Sequence, residues 1–368
     1  MRAFPPLALA CALALVASPE QRKNKKEEET QTLQLPRDLP SAVTGETRHL
    51  TFLVTPLSAK GLLSQQVRDG LKALAHSAGS DRVLKIRAFV AGSGDMRRVR
   101  DLVSEAFTDR KQPLPVLSLI QSGGLPLEGA QVVLEATASS RKELNPHGLA
   151  FLSAQAASSP NPLDPVAPLT AKSLAQLGQA VKAAGSDSAG VLRVTCFLSS
   201  LDNVAASRKL VEAEYPKAAI DFVQTQRAPF HALAACEAVA RLRSDPGPAV
   251  QVLNPEGLPL DPGQSQIALV NAPQVVLTGT QVSFGYQLAD ARLAFDRLRK
   301  VLEQEGISPR EVVFAHYYPL SNGIADQVRT VRGEFFDAAH APAATLLLFE
   351  GLPSMDAGFA VDVVAVKR

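Results

Sequence analysis

The sequence predicts an α/β protein in which one β–α–β–α–β–β unit occurs three times. In each copy a Gly-ended amphipathic helix is followed by an apolar strand, found at residues 83–90, 191–198 and 311–318. The aligned aromatic residues Phe89, Phe197 and Tyr318 lie 108 and 121 residues apart. Self-similarity at a repeated spacing indicates a repeat architecture, and this period is long enough for a whole domain.

The last strand of each unit is apolar on both faces, as in VVLEATA at 132–138 and VDVVAV at 361–366. Two helices per unit can cover only one face of a small sheet, so the second face needs another partner. The natural partners are the other two sheets. We therefore expect an α+β sandwich in which three sheets face a common axis, with the helices outside.

Unit 1 spans residues 46–138, and its first helix is predicted at 64–79. Leu71, Leu74 and Ala78 share one face of that helix at helical spacing, which indicates packing on a sheet. Asp95 is a plausible N-cap for the second helix. The glycines that end the first helix of each unit are interpreted as C-caps, namely Gly79, Gly185 and Gly306.

The remaining boundaries follow from composition. A Pro/Gly-rich joint, SDPGP at 244–248, separates the second unit from the third. The predicted segments are a signal peptide at 1–17, a disordered charged tether at 18–45, unit 2 at 139–243 and unit 3 at 250–368.

The N-terminus predicts an exported protein, either periplasmic or extracellular. The apolar run LALACALALVA at 7–17 has the length of a signal peptide and is too short to span a bilayer, and small Ala17 permits cleavage. After cleavage we expect no stable membrane insertion. The alternative is a chain anchored in the membrane through an uncleaved leader.

Composition excludes several function classes. A net charge of +2, with 5% aromatic residues and no Trp, argues against a nucleic-acid groove or a base-stacking platform. No Cys/His cluster has the spacing of metal ligands, and we expect neither a metal nor another cofactor. His231 and His316 are interpreted as strand residues.

Two cysteines remain after the leader, Cys196 and Cys236, both in predicted strands of unit 2. In an oxidising compartment they could form a disulfide. Strand cysteines are also common as buried apolar residues, so the sequence leaves both alternatives open.

Several segments resemble the RidA/YjgF family of reactive-imine deaminases, also called the L-PSP endoribonuclease family. GVLRVTCFLSSLDNVAASRKLVEAEYP at 190–216 is similar to its central strand and helix. SAQ at 153–155 and TGTQ at 278–281 resemble its Ser-Gly-Gln turn, and LEATA at 134–138 and CEAVA at 236–240 resemble its closing strand. The resemblance implies a chorismate-mutase-like fold, usually assembled as a homotrimer. Three tandem divergent copies would make one chain a monomeric pseudo-trimer.

The family hydrolyses 2-imino acids such as 2-iminobutanoate and 2-iminopropanoate to 2-keto acids in clefts between subunits. The resemblance implies that Glu135 and Glu237 match its catalytic Glu, with Val364 in the third copy. The positions of its substrate-binding Arg are occupied by Pro115, by Ala219 or Ile220, and by Ala344. Losing a charge-assisted bidentate pair in a desolvated site costs roughly 2–5 kcal/mol, so weak or absent deaminase activity is expected.

Glu135 and Glu237 are the catalytic candidates, and the alternative is that each is a carboxylate paired with Arg or Lys where units meet. Lys85 and Arg193 occupy equivalent strand positions; they could replace the lost cation, or they lie on a solvated face. Three residues could line ligand-binding clefts, or serve turns and caps, namely Gln155, Gln281 and Ser265 of the degenerate QSQ motif at 264–266.

Three functional classes remain open: an imine or enamine hydrolase with altered specificity, a binding protein for a small 2-imino or 2-keto acid or another small ligand, and a scaffold. The missing arginines favour the second and third.

Overall fold

The computed structural model describes residues 36–92 and 94–367. The described chain begins with β1 (Ala42–Glu46) and continues into the first α/β unit. Its elements are β2 (Leu50–Val54), α1 (Leu63–Ala78), β3 (Arg82–Ala91), α2 (Met96–Asp109), β4 (Val116–Ser122) and β5 (Val132–Ser139).

The second unit follows after a short loop. Its elements are β6 (Leu149–Ser159), α3 (Val166–Ala183), β7 (Val191–Leu198), α4 (Val204–Glu214), β8 (Ala219–Gln224) and β9 (Ala232–Arg241). Two short strands then lead into the last unit, namely β10 (Val250–Leu253) and β11 (Ile267–Val270). The last unit comprises β12 (Gln274–Thr278), β13 (Gln281–Phe284), α5 (Leu288–Gln304), β14 (Val312–Pro319), α6 (Asn322–Phe335), β15 (Ala343–Leu346) and β16 (Ala357–Lys367).

The core of each sheet has the same strand order. The orders are β2-β5-β3-β4, β6-β9-β7-β8 and β12-β16-β14-β15, and in the third sheet the short extra strand β13 also pairs with β16. Counted without β13, the first strand of each unit pairs with its fourth, and the second and third strands follow. In all three, only the second and third strands run parallel, and the other pairs are antiparallel. A parallel pair needs a crossover connection, which α2, α4 and α6 supply.

The ends of the first helices explain why the chain turns at the same place in all three units. Gly79, Gly185 and Gly306 adopt φ values of 56°, 72° and 72°, a left-handed region in which only glycine is free of steric cost. Asp95 accepts a hydrogen bond from the backbone N–H of Arg97 and caps α2 as predicted. The apolar face of α1 is buried against the first sheet.

The three sheets also pack on one another in a cyclic order. Strand β2 packs on β7 and β8 of the second sheet, β6 on β14 and β15 of the third, and β12 on β3 and β4 of the first. Each sheet therefore buries its second face against its neighbours, as its two-sided apolar strands require.

The buried interior between the sheets has three layers. One apolar cluster contains Leu84, Phe151 and Phe314, one residue from each sheet. A second cluster contains Phe89, Phe197 and Tyr318, the aromatics aligned in the sequence; the first two rings lie 5.9 Å apart. On the inner faces of β3, β7 and β14 the residues between these clusters are Arg87, Thr195 and His316, so a polar layer lies between two apolar ones.

Two predicted boundaries were wrong. The tether was expected to reach residue 45, but Ala42–Glu46 pairs with β12 in the third sheet. Unit 3 was expected to begin at residue 250, but β10 and β11 extend the second sheet, with β11 pairing to β6. β1 is an edge strand of the third sheet and β10 is an edge strand of the second, with β11 between β10 and β6. The predicted signal peptide and the tether up to residue 35 lie outside the described residues.

Candidate functional site

The polar layer is built from equivalent positions in the three sheets. On the second strands these positions hold Arg87, Thr195 and His316. On the fourth strands their direct antiparallel partners are Glu135, Glu237 and Asp362. The prediction that Val364 is the third counterpart of the two glutamates was therefore wrong. The ladder places Asp362 opposite His316, while Val364 pairs with Phe314.

Arg87 is the centre of this layer. Its Nε donates to Glu135 Oε2 at 2.6 Å, and its Nη2 donates to Glu237 Oε1 at 2.8 Å and to Thr195 Oγ1 at 3.2 Å. Thr195 in turn donates to Glu135 Oε1 at 2.5 Å. One guanidinium from the first sheet thus joins two carboxylates that belong to different sheets.

His316 and Asp362 connect the third sheet to the other two. The ring nitrogens of His316 lie 3.1 Å from Glu237 Oε1 and 3.1 Å from Asp362 Oδ1. Asp362 also accepts hydrogen bonds from Lys85 at 2.5 Å and Ser118 at 2.7 Å, both in the first sheet. The third sheet is therefore tied to the first through Asp362 and to the second through His316.

Burial and charge pairing shift the pKa values of these carboxyl groups. Burial acts to raise the pKa of Glu237, but Arg87 and His316 together hold it well below the ordinary range. The pKa of Glu135 is likewise lowered, because Arg87 and Arg193 outweigh its burial. Lys85 and His316 do the same for Asp362 and lower its pKa. All three are therefore ionised at neutral pH.

Lys85 and Arg193 belong to the same network and do not lie on a solvated face. They are 6% and 7% exposed. Arg193 Nη2 donates to Glu237 Oε1 at 3.3 Å, and Lys85 pairs with Asp362. Burial lowers the pKa of Lys85 despite this partner. Because both side chains are buried, neither can reach the carboxylate of an imino acid in place of the missing Arg.

The two catalytic candidates are as completely enclosed as a core residue. Glu135 and Glu237 are 1% and 0% exposed, and every carboxylate oxygen of the pair accepts a hydrogen bond. The cavity beside Glu135 has a volume of about 30 Å³, which is room for a species the size of a water molecule. An imino acid with its carboxylate does not fit there.

The predicted ligand-binding residues do not come together in one site. Gln155 is buried and donates to Ser153 O and to Gln266 Oε1, at 3.0 and 2.6 Å. Ser265 is buried, and its carbonyl oxygen accepts from Ser153 Oγ at 2.7 Å. Gln155 thus joins neighbouring segments of the second sheet, while Ser265 forms a bridge with Ala343 of the third. Both residues are therefore part of strand-to-strand contacts.

Gln281 lies in a different place, in an open cleft of about 620 Å³ between the first and third units. The cleft is bordered by residues 36–41, by the start of α2 with Arg97 and Arg100, and by Leu117 of β4. Gln281 donates to Gly279 O at 3.3 Å and is half-buried. Of the three predicted ligand-binding residues, it alone lines an open cleft.

Cys196 and Cys236 form a disulfide. They are direct cross-strand partners on β7 and β9, with Cα atoms 4.1 Å apart, and lie in the apolar cluster between the second sheet and its helices. The structure thus selects one of the two alternatives that the sequence left open.

Within residues 36–92 and 94–367 no group of His, Cys, Asp or Glu has the arrangement of a metal site. Over the same residues, no helix is long and apolar enough to cross a membrane.

Sequence reasoning missed Arg87, Asp362 and Thr195 as parts of the site. It also missed Thr345, which donates to Glu237 Oε2 at 2.6 Å. A signal was present in the repeat itself. Lys85 and Arg87 stand in a sheet whose second face was expected to pack on the other two sheets, and their counterparts Arg193, Thr195 and His316 are also polar. Polar residues at equivalent positions of buried strands indicate an internal network, since buried charges are almost always paired.

Comparison with known proteins gave structural likenesses only. No family model matches the chain, and no curated protein matches it. The solved structures that resemble it belong to the RidA/YjgF family, at low identity and over about a third of this chain. The Rid-family protein YyfB of Yersinia pestis is 21% identical over 33% of this chain and all of its own, with a TM-score of 0.31.

Two further family members give similar values. NMB1025 of Neisseria meningitidis, a YjgF-family protein, is 17% identical over 32% of this chain and 95% of its own, with a TM-score of 0.25. Rv2704 of Mycobacterium tuberculosis, of the YjgF/YER057c/UK114 family, is 16% identical over 32% of this chain and 99% of its own, with a TM-score of 0.24. A match to a third of the chain is compatible with repeats. TM-scores this low transfer neither an activity nor an assembly.

Proposed function

We propose that this chain is a RidA-like protein that has lost imine deaminase activity and acts as a scaffold or small-ligand-binding protein. The observation that carries the proposal is the state of Glu135 and Glu237. A general acid or base must reach the proton that it moves, within hydrogen-bonding distance of a bound substrate or through one water. Both glutamates instead hold three sheets together in a buried ion network.

The repeat architecture supports the same interpretation. We propose that the three units are divergent tandem copies, and that one chain replaces the family's homotrimer. The identical strand order and the cyclic packing of the sheets favour this proposal. The protein should then be a monomer in solution, with a mass by light scattering of one chain that does not change on dilution. We further propose export through the N-terminal apolar run.

The cleft at Gln281 is the proposed ligand site. Its volume of about 620 Å³ falls within the usual range for small-molecule pockets. Arg97 and Arg100 give it cationic groups, although Arg100 pairs with Asp38 at 3.0 Å. A small carboxylate, such as a 2-keto acid, is the ligand class that this combination favours. We therefore expect the cleft to bind such a carboxylate through its arginines and not to convert it.

The test is hydrolysis of 2-iminobutanoate and 2-iminopropanoate, generated in situ by an amino acid oxidase and followed as 2-keto acid formation. We expect the purified protein to give the uncatalysed rate. Glu135→Gln and Glu237→Gln should leave that rate unchanged and lower the stability of the protein. The matched control is Glu334→Gln. Glu334 is exposed, so its substitution should change neither the rate of hydrolysis nor the stability of the protein.

A rate clearly above the uncatalysed one, lost in both Gln variants and kept in Glu334→Gln, would show that the glutamates are catalytic and would overturn the proposal. Activity that survives in both Gln variants but falls in Arg97→Ala would place an active site in the cleft instead. That result would favour the alternative of an imine or enamine hydrolase with altered specificity.

A further inference from the structure

The cavity beside Glu135 has an excess of hydrogen-bond donors. It lies between the polar layer and the first apolar cluster, and side chains from all three sheets line it, including Phe52, Phe151 and Phe314. Its polar lining contains three cations, Lys85, Arg87 and Arg193, together with Glu135, Thr137 and His316. The cavity is thus apolar on one side, and on the other it is lined by three cations and by the carboxylate of Glu135.

N–H donors of the three cationic side chains that line the cavity are left without an acceptor. Arg87 Nη1 and Arg193 Nε are buried and have no hydrogen-bond partner among the described residues. Lys85 has three N–H donors, and its only hydrogen bond among those residues goes to Asp362. A buried donor without a partner is energetically costly, and Arg87, Arg193 and Lys85 all line the cavity, so an acceptor in the cavity would stabilise the folded state.

The carboxylate oxygens of Glu135 each accept one hydrogen bond already, Oε2 from Arg87 and Oε1 from Thr195. A water molecule would accept from the free donors and donate its own hydrogens to the remaining lone pairs of Glu135. A small anion also accepts from the free donors and brings no hydrogens of its own. Lys85, Arg87 and Arg193 are already paired with Asp362, Glu135 and Glu237, so the gain from an anion comes from the N–H groups that these pairs leave free.

We propose that this cavity is a binding site for one small monovalent anion of the size of chloride, held by Arg87, Arg193 and Lys85. The site goes beyond the proposed function and does not depend on it, because it concerns the assembly of the three sheets. A bound anion would complete the hydrogen bonding of the polar layer and stabilise the folded state.

The first experiment is thermal unfolding at constant ionic strength, with sodium chloride progressively replaced by sodium gluconate, whose anion is too large for the cavity. Binding to the folded state alone predicts a rise in Tm of about 2 °C for each tenfold increase in chloride above its Kd. Bromide should act in the same way.

Val364→Ile is the informative variant. Val364 lines the cavity, so the added methylene takes up the space of the anion while every charge stays in place. Its Tm should not depend on chloride. Val366→Ile is the matched control, because Val366 lies in the same apolar cluster on the same strand but does not line the cavity. It should keep the chloride dependence of the wild type.

A crystal grown in sodium bromide gives an independent result. We expect an anomalous difference peak in the cavity, within hydrogen-bonding distance of Arg87 Nη1 and Arg193 Nε. Equal stability in chloride and gluconate, together with a bromide-free cavity, would show that water alone occupies it and would overturn the proposal. An equal chloride effect in Val364→Ile would place the anion elsewhere and would also overturn it.

Discussion

Arg87 shows how much of this interior depends on one side chain. It contacts two carboxylates that no other cation neutralises at so short a distance, 2.6 and 2.8 Å. Burial disfavours its charged form, but Glu135 and Glu237 raise its pKa well above the usual value, so the charge is permanent. A buried ion pair adds little net stability over apolar packing, yet removing one partner leaves an uncompensated buried charge.

We therefore expect Arg87→Met to lower the free energy of unfolding by about 3–5 kcal/mol. The measurement is urea unfolding at pH 7. The control is Arg292→Met, which breaks an exposed bidentate pair with Glu334 at 2.8 and 2.7 Å. Solvent screens that pair, so its loss should be much smaller. Similar losses in both variants would show that the buried network is not what holds the sheets together.

The same carboxylates predict the response to acid. The pKa values of Glu135, Glu237 and Asp362 are lowered in the folded state from ordinary values of 4.5, 4.5 and 3.8. Their contribution is thus present above those ordinary values and is lost as the pH falls through the folded-state values. Asp221 acts in the opposite direction, because burial and Glu135 raise its pKa well above 3.8.

Three carboxyl groups have a lowered pKa and only Asp221 has a raised one, so the free energy of unfolding should fall steadily below about pH 5. Glu237→Gln should flatten this decline when urea midpoints are compared between about pH 6 and pH 3. Glu334→Gln, which removes a solvent-exposed carboxylate, should leave the slope nearly unchanged. An equally steep decline in Glu237→Gln would mean that the buried carboxylates do not govern acid unfolding.

At this scale the sequence predicted the positions of Glu135 and Glu237 and their alternative role as paired carboxylates. It did not predict their partners. Arg87 was missed because a charged residue in a strand is usually solvated, and only the approach of two further sheets makes its face internal. Asp362 was missed because the motif alignment placed Val364, two residues further on, at the position of the two glutamates. The ladder between β16 and β14 contains an irregularity that motif matching does not reveal.

The elements themselves were largely predictable, because helix and strand periodicity and the glycine C-caps are local properties. The exceptions are strands that pair with another unit's sheet. Nothing in AVTGE at 42–46 distinguishes a strand from the end of a tether, and β12 becomes its partner only once the chain has folded. The same holds for β10 and β11, which lie after the predicted linker but extend the second sheet.

The disulfide joins two neighbouring strands, β7 and β9, across 40 residues of sequence. For a loop of that length the chain-entropy estimate is about 3–4 kcal/mol of stabilisation. We expect the double variant Cys196→Ala/Cys236→Ala to be less stable by about that amount in urea. Alkylation of the unreduced, unfolded protein should leave both cysteines unmodified.

Dithiothreitol is the control for this prediction. It should bring the wild type close to the stability of the double variant and leave the double variant unchanged. If both cysteines were alkylated without reduction, the strands would carry free thiols and the stability difference would have to come from packing alone.

For the whole molecule, the polar layer between two shared apolar clusters makes the three sheets interdependent. Each sheet packs against the other two, and β1, which precedes the first unit, pairs in the third sheet. Three independent domains would bury their sheets separately and would unfold separately. The expectation of a common core followed from the two-sided apolar strands, whereas the ionic centre of that core could not be predicted until the register of three sheets was known.

The most direct test of this account is native-state hydrogen exchange on β3, β7 and β14 in the wild type and in Arg87→Met. Thr195→Val, a milder change in the second sheet, serves as the companion variant. The account predicts that the slowest amides of all three strands lose the same free energy of protection in each variant, although each substitution lies in one sheet. Protection lost only in the strand that carries the substitution would contradict a shared core.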